Sequence, residues 1–184
     1  VFSGEAGEYI AGKVALEREV SEECAGRGIE YTVLRPAVLY GPYNYAPRES
    51  MYIQMMVKNG LLPHINDAQG RFQMVYVKDA AEAVLKCIHN EKAYGQAYNL
   101  CQDQEMTYGI LAEELKKAAD VEVTMLPVTA AEAAEQNIPL PFPVTKEESE
   151  LYAGDRSRHE LGISYTEISE GIAKTYRAFK GVYA

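Results

Sequence analysis

The stretch Ile29-Glu-Tyr-Thr-Val-Leu-Arg-Pro-Ala-Val-Leu-Tyr-Gly-Pro42 begins as a β-strand and ends as a turn. Ile29, Tyr31 and Val33 fall on one side of an alternating, β-branched and aromatic run, which predicts a strand over 29–34. Pro36, which cannot donate to a ladder, stops it. Just upstream, residues 8–25 carry a helical pattern. Ile10, Val14, Leu16, Val20 and Cys24 lie on or near one face, Glu17, Arg18, Glu22 and Glu23 lie largely opposite, and Gly26 and Gly28 bracket the end. A helix therefore feeds a strand. Beyond the strand, Tyr40-Gly-Pro-Tyr-Asn-Tyr-Ala-Pro-Arg-Glu49 holds too many turn residues for a regular element. It predicts a Tyr-rich loop past a strand's carboxyl end, where open α/β sheets bind ligands.

Downstream the alternation continues. A helix over Ser50–Lys58 closes at Gly60. A short strand over Met74–Val77 leads into Asp79-Ala-Ala-Glu82, a capping box for a helix reaching about His89. Residues 97–100 and 121–126 read as strands, Thr107–Ala119 and Thr166–Phe179 as helices. Thr129-Ala-Ala-Glu132 and Thr145-Lys-Glu-Glu148 are two further capping-box signatures, separated by the polyproline-like Pro139-Leu-Pro-Phe-Pro143. The class is α/β.

With 47% apolar and 24% charged residues in 184, the chain is able to bury a core. No run approaches the roughly 18 apolar residues of a membrane span. Eighteen Lys and Arg against 27 Asp and Glu give a charge of -9, the wrong sign for a phosphate backbone, so the expected partners include neither membrane nor nucleic acid. Cys24, Cys87 and Cys101 form no CxxC, and His64, His89 and His159 no HxH or HExxH, which predicts no metal site and a reducing, cytoplasmic setting. The chain opens on Val1 without a signal-peptide pattern, as expected either of a piece cut from something longer or of a sequence that begins mid-gene.

Tyr9 and Lys13 stand at i and i+4, sharing a helix face one turn apart. A tyrosine with a pKa of about 10 is a poor base at neutral pH, and a neighbouring ammonium favours its phenolate. The pair is suited to shuttle a proton. Tyr176 and Lys180 repeat the spacing, but only the first pair precedes a strand and the Arg35-Pro-Ala-Val-Leu-Tyr-Gly-Pro42 segment; Tyr176 reads as a packing or surface residue.

These segments resemble the extended short-chain dehydrogenase/reductase family, the NAD-dependent epimerases and dehydratases, and the chain is expected to be the carboxyl-terminal half of such a protein. Tyr9-Ile-Ala-Gly-Lys13 is similar to the family's catalytic Tyr-x-x-x-Lys, and Arg35-Pro36 with Tyr40-Gly41-Pro42 to the segment against the nicotinamide. Val75-Tyr-Val-Lys-Asp79, Tyr98-Asn-Leu100 and Asp155–Gly162 match later family segments in order. The resemblance implies the carboxyl half of a Rossmann-like doubly wound parallel sheet plus a small mixed α/β substrate-binding region. Residues 1–100 would complete the dinucleotide-binding domain, with a substrate-loop insertion around 43–73, and 101–184 would form mainly the substrate region and terminal helices.

It also implies catalytic Tyr9 and Lys13, and cofactor contacts to NAD or NADP from these two with Pro36, Ala37 and Val38. Substrate contacts would come from Tyr43, Tyr45, Arg48 and Arg71, and the implied assembly is a homodimer through the Tyr9 helix. The substrate would be a small molecule, a sugar or nucleotide sugar included. The activity is that of an epimerase, dehydratase or reductase, with the 184 residues alone inactive; the alternative is a non-catalytic dinucleotide-sensing or scaffold protein of the same fold. Three features depart from the family: the Gly-x-x-Gly-x-x-Gly turn is absent, Ser3 is the sole local stand-in for the catalytic Ser or Thr, and Phe72 stands where nucleotide-sugar members carry an arginine. Arg35 reads equally as a structural ion pair with a helix, Tyr43, Tyr45 and Arg48 as a subunit contact, and Asp79 as a helix cap.

Overall fold

A computed structural model describes residues 4–44 and 46–184. Helix α1 spans Gly4–Arg27. It ends where Gly28 turns left-handed (φ 66): the Gly28 amide donates to the Ala25 carbonyl and the Ile29 amide to that of Cys24 at 2.9 Å, satisfying carbonyls the helix leaves open. The strand that follows, β1, is Thr32–Pro36, three residues later than its pattern begins. Ile29 stays half-exposed beside the helix end, and the Thr32 hydroxyl anchors the true start by donating to the Ala93 carbonyl at 2.8 Å.

β1 pairs in parallel with β5 (Gln96–Leu100), from Thr32 opposite Gln96 to Pro36 opposite Leu100. At the proline the chain changes partner. The Ala37 amide still donates to Leu100, at 2.9 Å, but that of Val38 donates to Gln73, at 3.1 Å, and β2 (Val38–Tyr40) runs parallel to β4 (Met74–Tyr76). A third parallel pair joins β3 (Leu61–Ile65) to β6 (Thr124–Val128). All six strands among the described residues therefore lie between Thr32 and Val128. This corrects the expected carboxyl half of a doubly wound sheet: the parallel core is amino-terminal and central, and after Val128 the described residues add helices and loops. Pro139, Pro141 and Pro143, which offer no ladder donors, help to keep that later segment out of a sheet.

Helices α2 (Glu49–Asn59), α4 (Tyr108–Ala118) and α7 (Ile168–Tyr183) close over β3 around Tyr40, Ile53, Leu62, Leu111, Ile172 and Tyr176. A smaller cluster, with Val75, Ala83, Tyr98, Leu100 and Leu161, joins β4 and β5 to α3 (Val77–Cys87) and α6 (Asp155–Leu161). The Thr129–Glu132 capping box forms at the start of α5 (Ala130–Glu135), with both reciprocal bonds present. The other two signatures do not cap helices. α3 starts two residues before Asp79, whose buried carboxylate instead accepts from the Thr166 amide (2.7 Å) and hydroxyl (2.8 Å), tying α3 to the approach of α7. Glu148 accepts from the Val144 and Thr145 amides within a turn.

Candidate active site

Tyr9 and Lys13 occur where their spacing puts them, on one face of α1, with the Lys13 Nζ 5.5 Å from the Tyr9 ring centroid. The phenol is open to a ligand, since Tyr9 is 67% exposed. What anchors α1 differs from the apolar face its sequence suggests. Ile10, Glu17, Ser21 and Cys24 form the half-buried stripe, whereas Val14, Leu16 and Val20 remain exposed. Glu17 reaches Arg35 at the end of β1, through Nε at 2.9 Å and a second bond to the neighbouring amino group, so Arg35 makes the structural ion pair. That bond holds the Glu17 carboxyl below the usual carboxylate range.

Pro36, Ala37 and Val38 occupy the break between β1 and β2. Proline has no amide proton, and the amides of Ala37 and Val38 are used by Leu100 and Gln73, so none of the three has a free amide to offer a ligand. Beyond Tyr40 the loop is fixed by Gly41 (φ 124). A Cβ there would lie 2.8 Å from Val77 Cγ1 and 2.9 Å from Tyr76 Cε2, so both conformation and space require glycine. Asn44 ties the loop back by donating from Nδ2 to the Leu39 carbonyl at 2.9 Å, and its own Oδ1 accepts from the Ala46 amide. Tyr43 stands fully exposed at the tip with φ 66.

Arg48, half-buried, precedes α2. Arg71 pairs with Glu105 at 2.9 Å, and its amide donates to Ser149. Its neighbour Phe72 is buried and stacks on Phe142 with centroids 4.4 Å apart, so that position serves the core. Tyr45 and Ser3 lie outside the described residues. Tyr176, of the second Tyr-Lys pair, is a core residue whose hydroxyl donates to Asp120.

The structure brings Tyr9 to Lys13. Among the described residues no hydrogen bond, ion pair or ring contact joins that pair to Tyr43, Arg48 or Arg71. Sequence reasoning passes over Glu49. Only 1% exposed, it accepts from the Gly41 amide at 3.2 Å through Oε1, while its Oε2 is buried without a partner. Burial pushes its carboxyl up to about 7. A glutamate in a helix's first turn is the ordinary choice there, so no sequence signal marked it.

Among the described residues no three His, Cys, Asp or Glu side chains gather as metal ligands, and no helix is long and apolar enough to cross a membrane. The three cysteines are free. An exposed phenol with an ammonium one turn away fits the nicotinamide ribose end of a dinucleotide; none of the 184 residues forms a Gly-x-x-Gly-x-x-Gly turn for its pyrophosphate.

Residues 3–101 match the NAD dependent epimerase/dehydratase family. The chain belongs to that family. The match lies in the amino-terminal portion of the chain, which corrects the expectation that identified the chain as the family's carboxyl-terminal half. The family is NAD-dependent, and its cofactor is NAD or NADP.

Among curated relatives, the chloroplast stem-loop binding protein of 41 kDa b of Arabidopsis thaliana is 33% identical over 92 residues, 50% of this chain and 24% of that protein. UDP-D-apiose/UDP-D-xylose synthase 2 of the same plant is 30% identical over 119 residues, 57% of this chain and 31% of that protein. The chain also superposes on the NAD complex of UDP-glucose 4-epimerase from Thermus thermophilus. The TM-score is 0.72 at 21% identity, over 94% of this chain and 54% of that one, which shows a shared fold. The matches thus span a quarter to a third of these curated relatives and about half of the solved structure.

Proposed function

We propose that Tyr9 and Lys13 are the acid-base pair of an NAD(P)-dependent oxidoreductase of epimerase, dehydratase or reductase type, acting on a carbon that bears a hydroxyl or carbonyl. The observation that carries this reading is the open phenol of Tyr9 beneath the Lys13 ammonium, on a helix inside the family match. Tyr9 as phenolate accepts the substrate's hydroxyl proton, and as phenol returns it. Lys13 supplies the positive charge a phenolate needs and holds the nicotinamide ribose, and Pro36, Ala37 and Val38 line the same end with apolar surface. The bound dinucleotide would supply a hydride acceptor and donor at the reacting carbon.

Tyr43, Tyr45, Arg48 and Arg71 would meet the substrate, a small molecule of the sugar or nucleotide-sugar class named in several of the relatives. In support, β3 of the segment 43–73 pairs in parallel with β6 of the region after 101. Turnover would need a Gly-rich turn for the pyrophosphate, a motif that the 184 residues do not contain. The working assembly would be a homodimer through α1, whose Val14, Leu16 and Val20 lie open, in a reducing cytoplasmic setting that suits three free cysteines.

Titration of the chain with nicotinamide mononucleotide and with AMP, read residue by residue by NMR, tests the placement. Millimolar binding that moves Tyr9, Lys13 and Ala37 with the first ligand only is expected. Equal shifts with AMP, or shifts away from α1, would remove the pair from the cofactor site.

A further inference from the structure

We propose that Glu49 is a positioning residue, its buried carboxyl group setting the course of residues 41–44 through the Gly41 amide. The proposal rests on the reading of that loop as the substrate side. Three constraints meet at Gly41. Its backbone is left-handed, Val77 and Tyr76 leave no room for a side chain, and its amide, turned away from the sheet, has Glu49 Oε1 as acceptor at 3.2 Å. From Gly41 the chain passes to Asn44, whose amide donates to the Gly41 carbonyl at 3.4 Å, and Tyr43 is lifted into solvent between them. The carboxyl group thus lies at the root of the loop, across from a glycine whose conformation and neighbours leave no room for a side chain.

The group is poised because it is half-satisfied. Oε1 has the Gly41 amide, Oε2 has no partner, and the Glu49 side chain is 1% exposed. A buried carboxylate with one free oxygen is costly, whereas the protonated acid buries no charge. Arg48 beside it is the cation that favours the ionised form. On the other side is Tyr40 of β2, buried and itself without a hydrogen-bond partner. Its hydroxyl feels Glu49, Asp79 of α3, Tyr76 of β4 and Glu170 of α7; Glu170 is paired with Lys174, and β3, which packs on α2, has His64 as its sole titratable residue.

Burial raises the Glu49 carboxyl against the pull of the Gly41 amide and of Arg48, and its proton leaves close to neutral pH. When it leaves, the Gly41 amide donates to a full negative charge, which shortens that bond and draws the loop root toward α2.

The test uses the chain itself and needs no substrate, so its failure is distinct from failure of the oxidoreductase reading. Amide NMR spectra recorded from pH 5.5 to 8.5 should show Gly41 titrating with a midpoint near 7, with Tyr43 and Asn44 following the same curve. In Glu49→Gln the three amides should hold still, near their low-pH positions in the parent. Should that variant not fold, the side-chain carboxyl carbon of Glu49 in the parent protein gives the midpoint directly. A Gly41 amide that does not move across this range, a carboxyl midpoint in the ordinary range near 4, or a loop that titrates unchanged in Glu49→Gln would each overturn the proposal.

Discussion

The carboxylate of Glu17 on α1 grips the guanidinium of Arg35 at the end of β1, Oε2 accepting from Nε at 2.9 Å and Oε1 from the adjacent amino group. It ties the helix that carries Tyr9 to the sheet. Its geometry is two-pronged, yet both groups keep substantial exposure, so its worth is that of a good surface pair.

Glu17→Gln should lower stability by about 0.5–1 kcal/mol, with the difference shrinking in high salt. Because the folded state holds this carboxyl below its unfolded value, the contribution is present above about pH 4.3 and lost as pH falls through the folded value. Urea unfolding at pH 7 and pH 3 measures it. A parent and variant that differ equally at both would contradict the assignment.

Gly171 on α7 meets the Tyr40 hydroxyl. A Cβ there would lie 1.9 Å from that oxygen and 2.7 Å from the ring carbon that bears it. Gly171→Ala should destabilise by about 1–3 kcal/mol despite the better helix propensity of alanine. Tyr40→Phe, which removes a buried hydroxyl with no partner, should be neutral or stabilising. The double variant should cost less than Gly171→Ala alone, and denaturant midpoints of the four proteins would show whether it does.

What could be read from the sequence divides along the range of the forces involved. Local signals held: the helix at 8–25, the turn at Gly41 and the Thr129–Glu132 box are set by residues within a few positions of one another. The change of sheet partner at Ala37 was hidden because β2 and β4 have three residues each, too few to alternate. The pairing of β3 with β6 was hidden by distance and by Pro63 and Pro127, which argue against strands. Val14, Leu16 and Val20 look like a core face, yet the half-buried stripe includes Glu17 and Ser21 instead. Of the proposed site, the closeness of Tyr9 and Lys13 on one helix face was legible from their spacing. Glu49 was not, because burial is a property of the whole fold.

The open side chains of α1, with Val84, Leu85 and Ile88 exposed on and just after α3, predict association in solution. Light scattering coupled to size exclusion at micromolar concentration should give a species larger than 20.4 kDa. Leu16→Lys with Val20→Lys should shift it toward the monomer if α1 is the contact. A single 20.4 kDa species in the parent would remove the dimer from the account.

Stability should also fall as pH rises through neutrality. Burial raises the Glu49 carboxyl to about 7 in the folded protein, so its stabilising contribution is full below about pH 4.3 and lost as pH rises through 7. Between pH 5.5 and 8.5 the change is at most about 2 kcal/mol. Urea unfolding at pH 5.5 and 8.5 should show it in the parent and not in Glu49→Gln; a parent more stable at pH 8.5 would reverse the sign and contradict the burial argument.

Tyr9 is the group proposed to move the proton. The most direct test of that role is steady-state turnover of Tyr9→Phe, in the polypeptide that carries these residues together with a complete dinucleotide site, alongside NAD(P) affinity by calorimetry. A fall in kcat of about 10² to 10⁴-fold with cofactor affinity nearly unchanged is expected. Turnover close to the parent's in Tyr9→Phe would contradict it, and would favour a non-catalytic role for the Tyr9 and Lys13 pair.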